Sequence, residues 1–270
     1  MIIDTHTHIF DEETYKTYKD KSAGRINEAI TLHFWVGLND KEPAQKPLES
    51  ILDFAKTKED LSVVAALNMH YSISEQLEKF NKYFQEEQIV GVKLYPGYQR
   101  FYPSDERIFP IAALCQKYNK PLIFHSGDVF DEAGSAELKY SHPIHVDGLA
   151  VRYPECKIVI AHFGFPYHLE TANIVSKNKN VFTEVSGTIL EPRSEAEAIA
   201  LLNQYIKDLE RVFAYFPDIK EKVMFGTDYA GENIPLNQVE PYIKLVEALF
   251  SKEEQKNVFY ELAKKLFFSR

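Results

Sequence analysis

Polar and apolar positions alternate in blocks along this chain. Short aliphatic or β-branched runs end at a polar residue or a Gly/Pro turn, and each is followed by a stretch whose apolar residues recur at three and four. The runs are 1–10 (MIIDTHTHIF), 61–68 (LSVVAALN), 89–95 (IVGVKLY), 121–125 (PLIFH), 157–162 (KIVIAH), 180–186 (NVFTEVS) and 222–228 (KVMFGTD). Between them, 74–88 carries Leu77, Phe80, Tyr83 and Phe84 on one helical side, and 109–118 reads as a second helix. A third is expected over 142–152, with Pro143 in its first turn. Segment 194–216 repeats Ile199, Leu202, Ile206, Leu209, Phe213 and Phe216 at helical spacing. Two helices close the chain, the second opened by the capping box Ser251-x-x-Glu254. Residues 11–60 are less regular. Segment 15–39 has a tryptophan and several aromatics without a clean period, 48–56 reads as a short helix, and a further strand is expected within 26–60.

Seven strands plus that hidden one, each separated by helix, predict a (β/α)8 TIM barrel of ordinary size. An open doubly wound sheet is the competing fold. Polar residues at the C-terminal ends of at least five strands favour the barrel, which gathers them at one mouth. No repeat, low-complexity tract or linker-like run divides the chain, so residues 1–270 are expected to form a single domain.

Composition narrows the partners. The formal net charge of −9, without any block of Lys or Arg, argues against nucleic acid. No basic leader precedes Asp11, Glu12 and Glu13, and no apolar run approaches the ~20 residues that a bilayer requires. Two cysteines, Cys115 and Cys156, make no disulfide framework. A cytoplasmic enzyme acting on a small molecule is expected, and a homo-oligomer is compatible with the sequence.

The candidate chemistry begins at the N-terminal strand. Side chains alternate across a strand, so Asp4, His6 and His8 are expected on one face, the two histidines about 6.5 Å apart at their Cα atoms. That spacing lets both rings converge on one ion. Two strand histidines alone are more often ordinary buried polar groups. Here, however, His125 ends PLIFH, His162 ends KIVIAH, Asp228 ends KVMFGTD, and Lys93 lies on IVGVKLY. Buried imidazoles and charges need partners, and a metal is the economical one. Asp4, lower on the strand, is expected to orient an imidazole. Lys93 admits three readings: a carbamylated bridge between two ions, a cation for an anionic substrate, or an ion-paired core residue. The second is preferred. Tyr98, Gln99, Arg100, Phe101 and Tyr102 occupy a long strand-to-helix loop, where barrels build specificity, and substrate contact is expected from Tyr98 and Arg100.

The motifs IIDTHTH, GVKLYP, IFHSG, IVIAHFG and MFGTDY resemble the amidohydrolase superfamily, in the branch that contains aminocarboxymuconate-semialdehyde decarboxylase and related hydrolases and lactonases. They run from residue 2 to about residue 229. The resemblance implies a (β/α)8 barrel with one divalent ion, zinc being expected and manganese the other candidate, held by His6, His8, His125 and Asp228. It implies His162 as the acid/base residue. The chain departs at Leu262, where the family pattern leads one to expect an asparagine, and in the region 11–60. The expected reaction is hydrolysis of an amide, ester or lactone of a small, carboxylated molecule by a metal-activated water, with Asp228 taking the water proton. Non-oxidative decarboxylation of an unsaturated or aromatic acid is the alternative, and a catalytically idle ligand-binding barrel is a third.

Overall fold

The structure is a computed structural model that describes residues 1–34, 46–129 and 135–269. Its elements in chain order are β1 (Ile3–Thr7), α1 (Glu12–Ser22), β2 (Glu28–Leu32), α2 (Leu48–Ala55), β3 (Leu61–Ala66), α3 (Ile73–Gln85), β4 (Gly91–Leu94) and α4 (Phe109–Lys117). They continue with β5 (Leu122–Phe124), α5 (Leu138–Ser141), α6 (His145–Arg152), β6 (Ile158–Ile160), α7 (His168–Lys177), β7 (Val181–Glu184), α8 (Glu195–Tyr215), β8 (Val223–Met224), α9 (Glu240–Leu249) and α10 (Lys252–Lys256). The strands pair in parallel and in chain order, β1 through β8, as expected of the (β/α)8 barrel. The missing strand is β2, within the span 26–60. Residues 35–39 of the irregular 15–39 stretch lie outside the described residues, and the part that is described holds the end of helix α1 and strand β2.

Two apolar layers hold the barrel. Outward strand residues such as Ile2, Val63, Val92, Leu122, Ile158 and Val181 pack against the helices. Inside, Ile3, Ile30, Val64, Ile123, Val159, Phe182 and Met224 form a plug with Leu262, Ala263, Leu266 and Phe267, which lie on the helical turns that continue α10 to residue 268. Leu262 therefore serves this plug, where an amide would be left to find a partner among aliphatic side chains. On β4 the plug position is taken by Lys93, which pairs in register with Ile123, itself level with Val159.

The seam between the last and first strands is closed by three backbone bonds: Thr5 N to Phe225 O at 3.1 Å, Asp228 N to His6 O at 2.7 Å, and His8 N to Tyr229 O at 2.7 Å. This seam sets the two ends of the described sheet against each other at the C-terminal mouth. Helix α6 begins later than the sequence pattern predicts. His142 precedes Pro143, and the proline ring disfavours helical backbone before it, so His142 is extended (φ −63°, ψ 127°) and the helix starts at His145. Among the described residues no helix is long and apolar enough to cross a membrane.

Candidate metal centre and active site

Strand β1 delivers His6 and His8 to the mouth, and the seam delivers Asp228 beside them. Asp228 adopts left-handed backbone (φ 63°), uncommon for a residue with a side chain, and its amide is held by the His6 carbonyl. Its Oδ1 lies 3.3 Å from His6 Nε2 and 3.1 Å from His8 Nε2. The other nitrogen of each ring is already committed. His6 Nδ1 lies 2.9 Å from Glu184 Oε1, and His8 Nδ1 lies 2.8 Å from the Leu32 carbonyl oxygen. Both partners can only accept, so each Nδ1 carries the hydrogen, and in the neutral ring Nε2 presents a lone pair. Burial, with Lys93 nearby, lowers His6 to about 3, so that ring is neutral at physiological pH.

Three lone-pair donors thus meet at one buried point, and Asp228 Oδ1 has no hydrogen-bond partner among the described residues. Such a junction is repulsive as it stands and is satisfied by a cation. The two imidazoles and one carboxylate are donors of the kind that zinc and related divalent ions take. A second cluster of possible ligands, His6, His162 and Glu184, is less suited because His6 Nδ1 is hydrogen-bonded to Glu184 and His162 Nδ1 to Ser186.

Glu184 was not singled out in the sequence, yet it organises the site. It ends β7, is buried, and accepts from His6 Nδ1, from the His162 backbone N at 2.8 Å and from the Ser186 backbone N at 2.6 Å. Burial raises its carboxyl, but the His6 ring and these donors outweigh burial and bring it down to about 2. A signal was available: Glu184 is two residues beyond Phe182 on the same strand, so alternation places it on the plug side, where a charge needs partners. Asp4, by contrast, does not orient a ring. The β1–β2 register shifts between Asp4 and Thr7, and the Asp4 carboxylate accepts from Tyr18 Oη (2.9 Å), Thr227 Oγ1 (2.7 Å) and the backbone N of His6 and Thr227. It holds helix α1 and the seam together, and the orienting role falls to Glu184.

His162 follows β6 in a tight turn with positive φ at His162 (59°), Phe163 (47°) and Gly164 (60°). Its Nδ1 lies 3.0 Å from Ser186 Oγ, and its Nε2 lies 3.2 Å from His125 Nδ1. His125 Nε2 lies 2.8 Å from the Asp128 carbonyl oxygen, which can only accept. The protons therefore run in one direction: His125 Nε2–H donates to Asp128, His162 Nε2–H donates to His125, and Ser186 Oγ–H donates to His162. Both nitrogens of His125 are engaged in this chain, and it is not among the three residues whose ligand atoms cluster at the junction. Burial lowers both His125 and His162. Gly187 (φ 75°) makes room for the arrangement, since a Cβ there would stand 2.4 Å from His162 Nδ1 and 3.0 Å from Asp228 Oδ2.

These groups form the floor of a cavity of about 550 Å³. Its wall includes Phe10 and Phe34 beside His8, Tyr95 and Tyr98 beside His125, and Phe165, Leu190 and Leu236. Tyr98 is buried with its ring 4.9 Å from that of His125, and Lys93 is fully buried at the cavity floor. Arg100 does not line the cavity: its guanidinium is mostly exposed and pairs with Glu137 at 2.9 Å. A loop arginine with a carboxylate partner in solvent has no reason to turn inward. Tyr102 packs on Tyr140 and His145, and Gln99 accepts from the Met69 amide, so neither faces the cavity.

A parallel barrel that brings two imidazoles and a carboxylate together at its C-terminal mouth has the architecture of a barrel enzyme with a candidate metal centre. The chain belongs to the amidohydrolase family: the model Amidohydro_2, described as Amidohydrolase, matches residues 3–268. Members of that superfamily bind a divalent metal. No curated protein matches the chain in sequence. Solved structures share the fold at low identity. An uncharacterized TIM-barrel protein from Bordetella bronchiseptica superposes with a TM-score of 0.71 at 15% identity, covering 98% of this chain and 97% of that one. A probable 2-pyrone-4,6-dicarboxylic acid hydrolase from Acinetobacter baumannii gives 0.67 at 16%, with 98% of each chain covered. A 2,6-dihydroxybenzoate decarboxylase from Rhizobium gives 0.64 at 13%, again with 98% of each covered.

Proposed function

We propose that this amidohydrolase is a hydrolase that cleaves an amide, ester or lactone bond of a small molecule with water activated at a zinc-type centre held by His6, His8 and Asp228. The observation that carries the reading is the Asp228 carboxylate. Its Oδ1 completes the three-donor junction, while Oδ2 lies 4.0 Å from His162 Nδ1 and 3.0 Å from where a Gly187 Cβ would be. A divalent ion bound there supplies Lewis acidity and lowers the pKa of water towards ~7.

The residues then divide the work. Asp228 is the carboxylate of the junction, and its second oxygen accepts the proton of the attacking water. His162 keeps its proton on Nε2, where a substrate oxygen or leaving atom can replace His125 as acceptor. Ser186 and Glu184 hold His162 from its other side, through Nδ1 and the backbone amide. Decarboxylation, the alternative, needs a group that delivers a proton to carbon. His162 Nε2–H is the donor that either reaction would draw on, and the feature that favours attack by water is Asp228 Oδ2, a base beside the junction.

The test is a substrate panel with zinc or manganese supplied: lactones, esters and carboxylated amides beside hydroxybenzoates and muconates. Turnover in the first group, lost in Asp228→Asn, is expected. Turnover confined to the second group, with release of carbon dioxide, would replace hydrolysis by decarboxylation.

A further inference from the structure

The reaction outlined above makes no use of Lys93. This side chain occupies the place on β4 that Ile123 and Val159 fill on the next two strands, so an ammonium rises from an aliphatic layer into the cavity floor. It is fully buried, and its Nζ has no hydrogen-bond partner among the described residues; the Tyr95 ring is 5.3 Å away. Burial pushes it down to about 8, with Glu184 and Asp228 opposing. An unpartnered buried cation aimed into a cavity is unfavourable until an anion arrives.

The rest of the cavity limits what that anion can be. Lys46, the other cation on the wall among the described residues, is paired with Asp11, and Arg100 lies outside. Phe10, Phe34 and Phe165 give the lining an aromatic side, and the two carboxylates of the wall, Asp11 and Asp128, make it hostile to a second anionic group. At the floor, a divalent ion and Lys93 together outweigh Asp228 and Glu184 by one charge, which a single carboxylate neutralises. We infer that Lys93 is the specificity-determining residue of this site: it receives the carboxylate of a monoanionic substrate that enters charge first, with a flat apolar body against the aromatic wall. A dicarboxylate of the same size would set its second charge beside these rings and carboxylates, where the one further lysine of the lining among the described residues is already paired. This inference rests on the reading of the cavity as a hydrolase active site, but it concerns binding and is tested without turnover.

The experiment is calorimetric titration of the metal-loaded protein with benzoate, benzamide and isophthalate as probes, on the native chain and on Lys93→Met and Lys93→Gln. Benzoate is expected to bind the native chain at least tenfold more tightly than benzamide or isophthalate. Both variants should lose at least tenfold for benzoate and less than threefold for benzamide. Lys93→Met should unfold at the same temperature as the native chain or higher, since a thioether suits the aliphatic layer better than an unpaired charge, so lost binding will not be lost folding. Benzoate affinity unchanged in Lys93→Met, no benzoate binding to the native chain, or tighter binding of isophthalate would each overturn the inference. So would a carbamate on Lys93, read from the carbon NMR of protein equilibrated with labelled bicarbonate. If the probes behave as expected while no ester, lactone or amide is turned over, the anion anchor stands and the proposed reaction fails.

Discussion

Replacing Glu184 by glutamine keeps the shape of the side chain and removes its charge. The carboxylate spreads three hydrogen bonds over two oxygens: His6 Nδ1 and the His162 amide on Oε1, the Ser186 amide on Oε2. A glutamine has one acceptor oxygen, so whichever way it turns, its NH2 meets an N–H. The carboxyl titrates at about 2 in the folded chain against an ordinary value of 4.5, although burial alone would raise it. The folded pKa is the lower one, so the contribution is complete above pH 4.5 and is lost as pH falls from there through about 2. At neutral pH the loss of one charge-assisted hydrogen bond, with an N–H left buried and unpaired, costs roughly 2–4 kcal/mol. Glu184→Gln is therefore expected to lower stability by roughly 2–4 kcal/mol in urea titration at pH 7, and to flatten the acid branch of the stability profile. Because Glu184 fixes which His6 nitrogen faces the junction, metal affinity should also fall about 10–100-fold, read by zinc titration against a competing chelator. An affinity within twofold of the native chain, together with an unchanged acid branch, would refute the orienting role.

Further outcomes follow from the same geometry. Asp228→Asn should reduce bound metal, measured by emission spectrometry, to near zero, while the metal-free protein keeps its thermal stability or gains some because the three-way repulsion is relieved; retained metal would contradict the junction. Gly187→Ala should cut kcat at least tenfold with metal content unchanged, since the new Cβ meets His162 Nδ1 on a left-handed backbone, and native-like turnover would show that His162 has room to spare. Leu262→Ala should cost about 2–5 kcal/mol in urea titration without altering metal affinity, because the plug lies beneath the site. Arg100→Ala should leave KM within twofold, and a large rise in KM would restore Arg100 as a substrate contact.

Most of the barrel was legible because seven of its strands announce themselves by β-branched runs ending in turns. Strand β2 was obscured because Glu28 and Ala29, poor strand formers, open a run of only five residues. The histidines and Asp228 were legible for the same reason as the strands, since each interrupts an apolar pattern at its C-terminal end. Glu184 obeys the same rule, but Thr183 and Ser186 flank it, so its run ends as an ordinary polar strand end and the carboxylate does not stand out. Asp4 was assigned to the wrong face because alternation presumes an unbroken register, and the shift between Asp4 and Thr7 is a pairing irregularity that sequence does not carry. Neither could sequence tell that His125 would turn both nitrogens towards Asp128 and His162, which depends on where a loop carbonyl comes to rest.

The seam has a consequence for how the molecule opens and closes. Of the junction's three donors, two come from residues 6 and 8 and one from residue 228, so an ion there ties together positions 220 or more residues apart. Elsewhere each strand is held to its neighbour by a ladder built along a short stretch of chain. At the seam, β8 is only two residues long and the closure depends on a few bonds spread over residues 225–229. The ion then works as a clasp on the joint with the greatest loop-closure entropy in the fold. Loading the site and shutting the barrel become a single linked event, and exchange of the Thr5, His8 and Asp228 amides should slow as metal is added, in step with occupancy.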